Sequence, residues 1–256
     1  MVVLYLGDCL EKMKSVADKS IDLIICDLPF GCLIGGGGKE KMKRIDNNSK
    51  DVIAGCPWDI KIDLVEFWNQ IKRIRKNDHT PTLMFCTTKY GYELIKSNEK
   101  EFRYDLVWDK QRGVSFLSAN KMPMRSHEMI YVFSKAGANY NRIDLEGDFK
   151  PFISGKGRSK QYGGVEKIQK ENDGSTRCIK SVIQNKTSST RGGHPTEKPI
   201  DLYKFLIERY SNEGDTILDP TFGSGNSGLA TEELGRNYIG MEKDETFFNK
   251  FVSLHK

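Results

Sequence analysis

The 256-residue sequence has no long hydrophobic run, no closely spaced cysteine pair and few histidines. No apolar stretch approaches the roughly 20 residues that a membrane-spanning helix needs, and the first eight residues turn polar too early for a signal peptide. The six cysteines lie far apart without a Cys-x-x-Cys motif, and the four histidines are equally dispersed. These absences argue against a disulfide framework and a zinc site. We therefore expect a cytoplasmic protein with free thiols, no metal and no membrane partner.

Charge is unevenly distributed along the chain. The formal net charge is +5, yet residues 135–193 hold 12 Lys/Arg against 6 Asp/Glu and are rich in glycine and serine. A balanced body with one basic segment is typical of a protein that meets a polyanion such as nucleic acid. An ordinary solvated loop would have the same composition, so charge alone leaves both interpretations open.

Short apolar runs alternate with amphipathic helical patterns along the rest of the chain. The predicted strands are 2–6, 21–26, 81–86, 102–108, 128–134, 178–183, 216–219 and 237–242. The predicted helices are 9–16, 62–76, 90–96, 200–210 and 244–254. This alternation predicts an α/β fold with a doubly wound, mostly parallel sheet, in which 102–108 and 128–134 pair as one antiparallel hairpin.

A glycine-rich turn, residues 219–228, lies between a predicted strand and a predicted helix. Backbone N–H groups in such a turn can approach a nucleotide-like ligand. The spacing Gly223-x-Gly225-x-x-Gly228 formally meets the dinucleotide pattern, and Glu242, at the end of the next strand, can accept ribose hydroxyls. A nicotinamide-dependent oxidoreductase is therefore an alternative, although little chain follows the turn to build a second nucleotide-binding half.

A tetrapeptide near the beginning of the chain, Asp27-Leu28-Pro29-Phe30, decides between the alternatives. It stands at the carboxyl end of a predicted central strand, where open α/β sheets bind ligands. Its sequence resembles the Asp/Asn/Ser-Pro-Pro-Tyr/Phe of S-adenosylmethionine-dependent DNA amino-methyltransferases, with Leu28 in place of the usual proline. The turn at 219–225 resembles their cofactor motif Asp-Pro-Phe-x-Gly-Ser-Gly. Residues 194–199 resemble a further motif, His-Pro-Thr-Gln-Lys-Pro, and the order of the three is that of the β class.

The resemblance implies a Rossmann-like methyltransferase sheet with a circularly permuted motif order and a small basic insertion. Residues 1–134 would form the catalytic half, with 31–57 as a mobile loop, and 194–256 the cofactor-binding half of the same domain. Residues 135–193 would form the target-recognition segment. The implied cofactor is S-adenosyl-L-methionine and the implied partner is DNA, whereas a homodimer and a cognate restriction nuclease stay open.

The resemblance also implies roles for individual residues. The carboxylate of Asp27 and a backbone carbonyl would accept the two N–H bonds of an exocyclic amine, and Phe30 would stack on a base turned out of the duplex. The implied catalytic residues are Asp27, Leu28, Pro29 and Phe30. The implied cofactor-binding residues are Asp8, Asp27, His194, Thr196, Lys198, Asp219, Phe222, Gly223, Ser224, Gly225, Asn226, Ser227, Glu242 and Lys243, with Lys198 and Thr196 as candidates for the methionine carboxylate. The DNA-binding candidates are Lys39, Lys41, Arg142, Lys150, Lys156, Arg158, Lys160 and Lys167.

The first residue of the tetrapeptide bears on the target base. In this family serine is commoner there for cytosine and aspartate for adenine, so Asp27 favours transfer to adenine N6, with cytosine N4 as the runner-up. A non-catalytic DNA-binding relative, disabled by Leu28, is a further alternative.

Overall fold

The computed structural model describes residues 1–31, 60–114, 116, 119–153, 157–158, 166–167, 171–187 and 197–253. The chain forms two compact units. The first comprises Met1–Tyr140 and Val182–Lys256, and the second comprises Asn141–Ser181. The loop predicted at 31–57 lies, beyond Gly31, outside the described residues.

Strands and helices alternate through the first unit. The strands are β1 (Val2–Leu6), β2 (Leu23–Cys26), β3 (Thr82–Cys86), β4 (Phe102–Val114), β5 (Arg125–Phe133), β6 (Leu145–Glu146), β7 (Phe152–Ile153), β8 (Gly157–Arg158), β9 (Glu166–Lys167), β10 (Glu171–Asn172), β11 (Thr176–Arg177), β12 (Val182–Gln184), β13 (Thr216–Asp219) and β14 (Asn237–Glu242). The helices are α1 (Cys9–Met13), α2 (Leu64–Ile74), α3 (Thr88–Ser97), α4 (Ile200–Tyr210), α5 (Asn226–Glu233) and α6 (Glu245–Ser253), with a 3₁₀ turn at Glu99–Glu101. Strands β6 to β11 belong to the second unit, where they form three short antiparallel pairs.

One eight-stranded sheet organises the first unit, in the order β1-β14-β13-β2-β3-β5-β4-β12. Strand β5 runs antiparallel to both of its neighbours, β3 and β4, and the other pairings of this sheet are parallel. The prediction of a doubly wound, mostly parallel sheet with one antiparallel hairpin is confirmed.

Helices cover both faces of this sheet, which explains why its central strands are apolar throughout. In β2, Ile24 and Cys26 belong to the core formed with helices α1, α2 and α3. Leu23 and Ile25 belong to the opposite core, formed with α4. Because alternate side chains of a strand point to opposite faces, a strand buried on both sides has no polar position to spare. All four residues are fully buried.

The sheet reverses its winding between β2 and β13, which are direct neighbours. Ile217 pairs with Leu23 and Leu218 with Ile24 in a parallel register. From β13 the chain continues through α5 to β14 on one side, and from β2 through α2 to β3 on the other. The carboxyl ends of β2 and β13, which lead into Asp27 and Asp219, therefore meet at the point where such sheets bind ligands.

Some element bounds differ from the prediction. Helix α1 ends at Met13 rather than at residue 16, although Val16 is still buried. Strand β4 continues to Val114 because its hairpin partner β5 begins as early as Arg125. In the described part of the chain, no helix has the length and apolar character that a membrane crossing requires.

Candidate active site

A cavity of about 630 Å³ opens at the switch point of the sheet. Four of the segments that line it follow strands: 7–10 after β1, 27–30 after β2, 220–224 after β13 and 242–244 after β14. The remaining lining residues are Ile60, Lys61, Ile62, Asp63, Thr87, Glu128, Glu197, Lys198, Tyr203 and Phe247. This volume lies within the range of about 300–1,000 Å³ that is typical of small-molecule sites.

The tetrapeptide and the glycine turn are tied together directly. Thr221 donates a hydrogen bond from Oγ1 to the backbone carbonyl of Asp27, at 3.2 Å. Phe30 packs at a tilt on Tyr90, with 5.1 Å between the ring centroids. The side chain of Leu28 is buried in the core on the α2 side. Leucine at this place is therefore a core residue, and the turn that presents Asp27 and Phe30 to the cavity is intact.

Asp27 belongs to a row of alternating charges. The Lys198 ammonium lies 2.5 Å from Asp27 Oδ2 and 3.5 Å from Glu128 Oε2, and Glu128 forms a second ion pair with Lys110. Burial raises the pKa of the Asp27 carboxyl, and the Lys198 charge opposes that shift. Burial has the same effect on Glu128, but there the charges of Lys198 and Lys110 outweigh it and hold the pKa below its usual range.

The glycine turn needs glycine where it is packed most tightly. Gly223 and Gly225 both have positive φ, 52° and 84°. A Cβ on Gly225 would lie 2.0 Å from a ring carbon of Phe251 in α6. The Gly223 N–H donates to Glu242 Oε2 at 2.8 Å, and the Asp244 N–H donates to Oε1 at the same distance. Glu242 thus fixes the turn from the end of the neighbouring strand while it also lines the cavity.

Two residues predicted to bind the cofactor lie beneath the turn instead of in the cavity wall. Asp219 is 1% exposed and accepts hydrogen bonds from Ser227 Oγ at 2.6 Å and from the Thr221 N–H at 3.0 Å. Ser227 is fully buried and also lies 2.9 Å from the Tyr238 hydroxyl. Burial raises the pKa of Asp219 to about 7, although both donors favour the carboxylate. This network supports the turn from below.

Asn226 connects the turn to the segment that precedes α4. Its side-chain amide donates to Glu197 Oε1 at 2.7 Å and to the backbone carbonyl of Lys198 at 2.8 Å. Like Gly225, it begins α5 and does not line the cavity. The contact fixes the backbone of Lys198 beside Asp27.

At the opposite end of the cavity, Asp8 caps α1 by accepting a hydrogen bond from the Leu10 N–H at 3.0 Å. It also forms an exposed ion pair with Lys243, at 3.5 Å. Phe222 lines the cavity but is 3% exposed, because its ring packs on Phe251 with the centroids 5.1 Å apart.

Several predicted residues cannot be placed in this geometry. His194 and Thr196 of the cofactor set lie outside the described residues. The same holds for Lys39, Lys41, Lys156 and Lys160 of the DNA-binding set, and for the side chains of Arg158 and Lys167. Arg142 and Lys150 lie in the second unit, where Arg142 forms an ion pair with Asp144 at 2.6 Å. Within the described ranges, no group of His, Cys, Asp and Glu side chains could hold a metal ion.

Sequence reasoning missed Glu128 and Lys110 as members of the site. Both occur in segments that were noted only for their likeness to a family, 127–135 and 104–110. The available signal was a charged residue inside each of two otherwise apolar strands. A buried charge needs a partner, so two such charges on adjacent strands indicate a pair.

Comparison with known proteins gives one consistent result. The model of the family described as DNA methylase, the N6/N4 methyltransferases, matches residues 21–253. The type II methyltransferase M.HinfI of Haemophilus influenzae is 26% identical over 255 residues, which cover 95% of this chain and 65% of that protein. The chain therefore spans about two thirds of the length of this relative.

Two solved structures share the fold along most of the chain. The structure titled M1.HpyAVI–SAM complex superposes with a TM-score of 0.60 at 19% identity, covering 99% of this chain and 100% of that one. The PvuII DNA methyltransferase, described as cytosine-N4-specific, superposes with a TM-score of 0.65 at 16% identity, covering 98% and 85%.

Proposed function

Since the chain belongs to the DNA methylase family of S-adenosylmethionine-dependent N6/N4 amino-methyltransferases, we propose that it transfers a methyl group to the exocyclic N6 of adenine in DNA. The observation that carries this proposal is the convergence of two distant segments on one cavity. The tetrapeptide 27–30 and the turn 220–224 line it together, joined by the bond from Thr221 to the Asp27 carbonyl.

The residues around the cavity suit the cofactor. Glu242 presents a carboxylate for ribose hydroxyls, Phe222 and Phe247 offer aromatic surface for an adenine ring, and Gly223 leaves the backbone open to close approach. Asp8 and Lys243 would contact its polar groups at the mouth. We assign Asp219 and Ser227 to the support of the turn. The roles of His194 and Thr196 stay predictions.

The chemistry follows from the weak nucleophilicity of the base. When bound, S-adenosylmethionine supplies a sulfonium methyl group, whose C–S bond breaks towards sulfur as the N–C bond forms, so that one proton must leave the nitrogen. In adenine the amine lone pair is delocalised into the ring. Asp27 and the Leu28 carbonyl would accept its two N–H bonds, localise the lone pair and orient it. Asp27 is also the nearest acceptor for the released proton, and Phe30 would stack on the flipped base.

The choice of adenine rests on Asp27 at the first position of the tetrapeptide. The cytosine-N4-specific PvuII neighbour supports the runner-up, because its fold resembles this one equally well. No feature of the cavity supports a nicotinamide-dependent oxidoreductase over a methyltransferase. DNA contacts by the basic residues of 135–193, a homodimer and a cognate restriction nuclease remain predictions.

The direct test is to incubate the protein with unmethylated DNA and labelled S-adenosylmethionine, digest the DNA and identify the methylated nucleoside. We expect N6-methyladenine. N4-methylcytosine would contradict the base assignment, and cofactor binding without any methylated nucleoside would support the non-catalytic alternative.

The variant Asp27→Ala tests the role of the tetrapeptide. We expect it to lose methyl transfer by a factor of about 100 or more, because it removes a positioned acceptor, while it still binds the cofactor. Asp18→Ala is the matched control, since that carboxylate is 70% exposed and pairs only at the surface with Arg73. Equal activity of the two variants would contradict the role of Asp27.

A further inference from the structure

A lysine ammonium buried beside the proposed catalytic carboxylate has two anionic neighbours from different strands. Lys198 is 4% exposed and lies 2.5 Å from Asp27 and 3.5 Å from Glu128. We propose that Lys198 is a positioning residue that holds Asp27, that Glu128 shares and regulates this contact, and that Lys198 is not a ligand of the cofactor carboxylate. The inference rests on the proposed function, because it explains how Asp27 is prepared for the amine.

Both ends of Lys198 are fixed. Its backbone carbonyl accepts the hydrogen bond from Asn226 on the glycine turn, and its ammonium lies over the ring of Phe85, 5.3 Å from the centroid. An ammonium held between a carboxylate and an aromatic face cannot leave for a ligand without uncovering a buried charge. The geometry therefore assigns the cation to Asp27.

Glu128 connects this contact to a second cation. One of its oxygens pairs with Lys110, whose ammonium in turn lies 5.1 Å from the Trp108 ring centroid. The row Asp27, Lys198, Glu128, Lys110 alternates in sign and sums to zero. A neutral row can be buried at little cost, whereas the loss of any one member leaves an uncompensated charge.

The arrangement determines which oxygen of Asp27 meets the substrate. Lys198 contacts Oδ2. The other oxygen, Oδ1, is the one that we assign to the N–H of the target amine. Rotation about the carboxyl group would exchange the two oxygens, and the contact with Lys198 prevents that rotation. Lys198 thus acts on the reaction through Asp27.

The charged neighbours of Asp27 can be counted element by element. They are Lys198 before α4, Glu128 on β5, Lys110 on β4 and Asp219 on β13, and the other titratable neighbours are Cys26, Cys86, Tyr90 and Tyr203. Burial raises the pKa of both thiols and both phenols, so these four groups stay neutral. Lys198 and Glu128 are the nearest groups that carry charge.

The test is a carbon-13 NMR titration of the Asp27 carboxyl, assigned with Asp27→Asn. Lys198→Met removes the attracting cation, so the Asp27 pKa should rise by about one pH unit or more, a tenfold change in its ionisation constant. Glu128→Gln removes the competing anion, so the pKa should fall. A merely structural role would not move the pKa in opposite directions. Because this readout needs no methyl transfer, its failure is distinguishable from failure of the proposed function.

Cofactor binding by calorimetry completes the test. Lys198→Met should keep the dissociation constant of S-adenosylmethionine within about twofold, while methyl transfer falls at least tenfold and Lys198→Arg recovers part of it. A tenfold weaker binding with an unchanged Asp27 titration would overturn the inference and return Lys198 to the cofactor. If Lys198→Met does not fold, the charge-balanced Lys198→Met/Glu128→Gln variant serves instead. It should bind the cofactor normally and lose methyl transfer, and weak binding by this variant would also count against the inference.

Discussion

The buried carboxyl of Asp219 makes the stability of the protein depend on pH in an unusual direction. An ordinary carboxylate that is paired in the folded state stabilises a protein as pH rises. Asp219 has no cation beside it, and burial raises its pKa from 3.8 to about 7. Between those values the folded protein binds a proton that the unfolded chain has released, so the free energy of unfolding falls as pH increases from about 4 to about 7.

The magnitude follows from the difference in pKa. Each pH unit corresponds to about 1.36 kcal/mol, so this single group is worth about 4 kcal/mol at acid pH, all of which is lost above pH 7. Asp219→Asn removes the titration and keeps the hydrogen bonds. Its amide oxygen can accept from the Thr221 N–H, and its NH₂ can donate to Ser227, whose hydroxyl hydrogen then turns to Tyr238.

The assay is urea unfolding of both proteins at several pH values from 4.5 to 8. Only the difference between them is interpreted, because other carboxylates such as Asp27 and Glu242 also titrate with raised pKa values. The variant should be less stable than, or equal to, the native protein near pH 4.5 and gain on it steadily towards pH 7. A difference in unfolding free energy that does not change with pH would refute the assignment of a raised pKa to Asp219.

Two further variants test how the sheet and its turn are held. Gly225→Ala should cost about 1–3 kcal/mol more than Gly214→Ala in thermal or urea unfolding, since both glycines have φ near 84° but only Gly225 lacks room, against Phe251; equal losses would show that the ring moves away freely. Arg75→Met should cost about 3 kcal/mol, because it leaves the buried Glu101 carboxylate without its two guanidinium bonds of 2.9 and 3.2 Å. Adding Glu101→Gln should restore most of that loss, and a double variant as unstable as the single one would contradict the explanation.

The architecture was predictable because its signals are local. A strand covered on both faces must be apolar at consecutive positions, as in β2 and β3, and such runs stand out from the helical patterns between them. The hairpin of β4 and β5 was expected for the same reason. Its full length was not, because 109–114 is polar and pairs through the backbone with a partner that the pattern of apolar residues does not reveal.

The site was predictable only where a motif coincides with a position in space. The tetrapeptide and the glycine turn each follow a strand, and parallel strands bring their carboxyl ends to one edge. Whether Lys198 faces a cofactor or Asp27 depends on distances across the sheet that a sequence does not contain. Glu128 reads as one residue of an alternating strand, and only the register of β5 against β3 and β4 places it beside Lys198.

The strand order also limits how the protein can be made. Strands β1 and β2 come first in the chain, but they are separated in the sheet by β13 and β14, and Val2 finds its partner at Tyr238. During synthesis the two early strands therefore wait with open hydrogen-bonding edges until the last part of the sequence can enter between them. Contacts of such long sequence separation slow folding and leave sticky edges exposed in the meantime. The segment that completes the ligand site is thus also the one that closes the sheet, so a chain that has not finished folding cannot present the cavity.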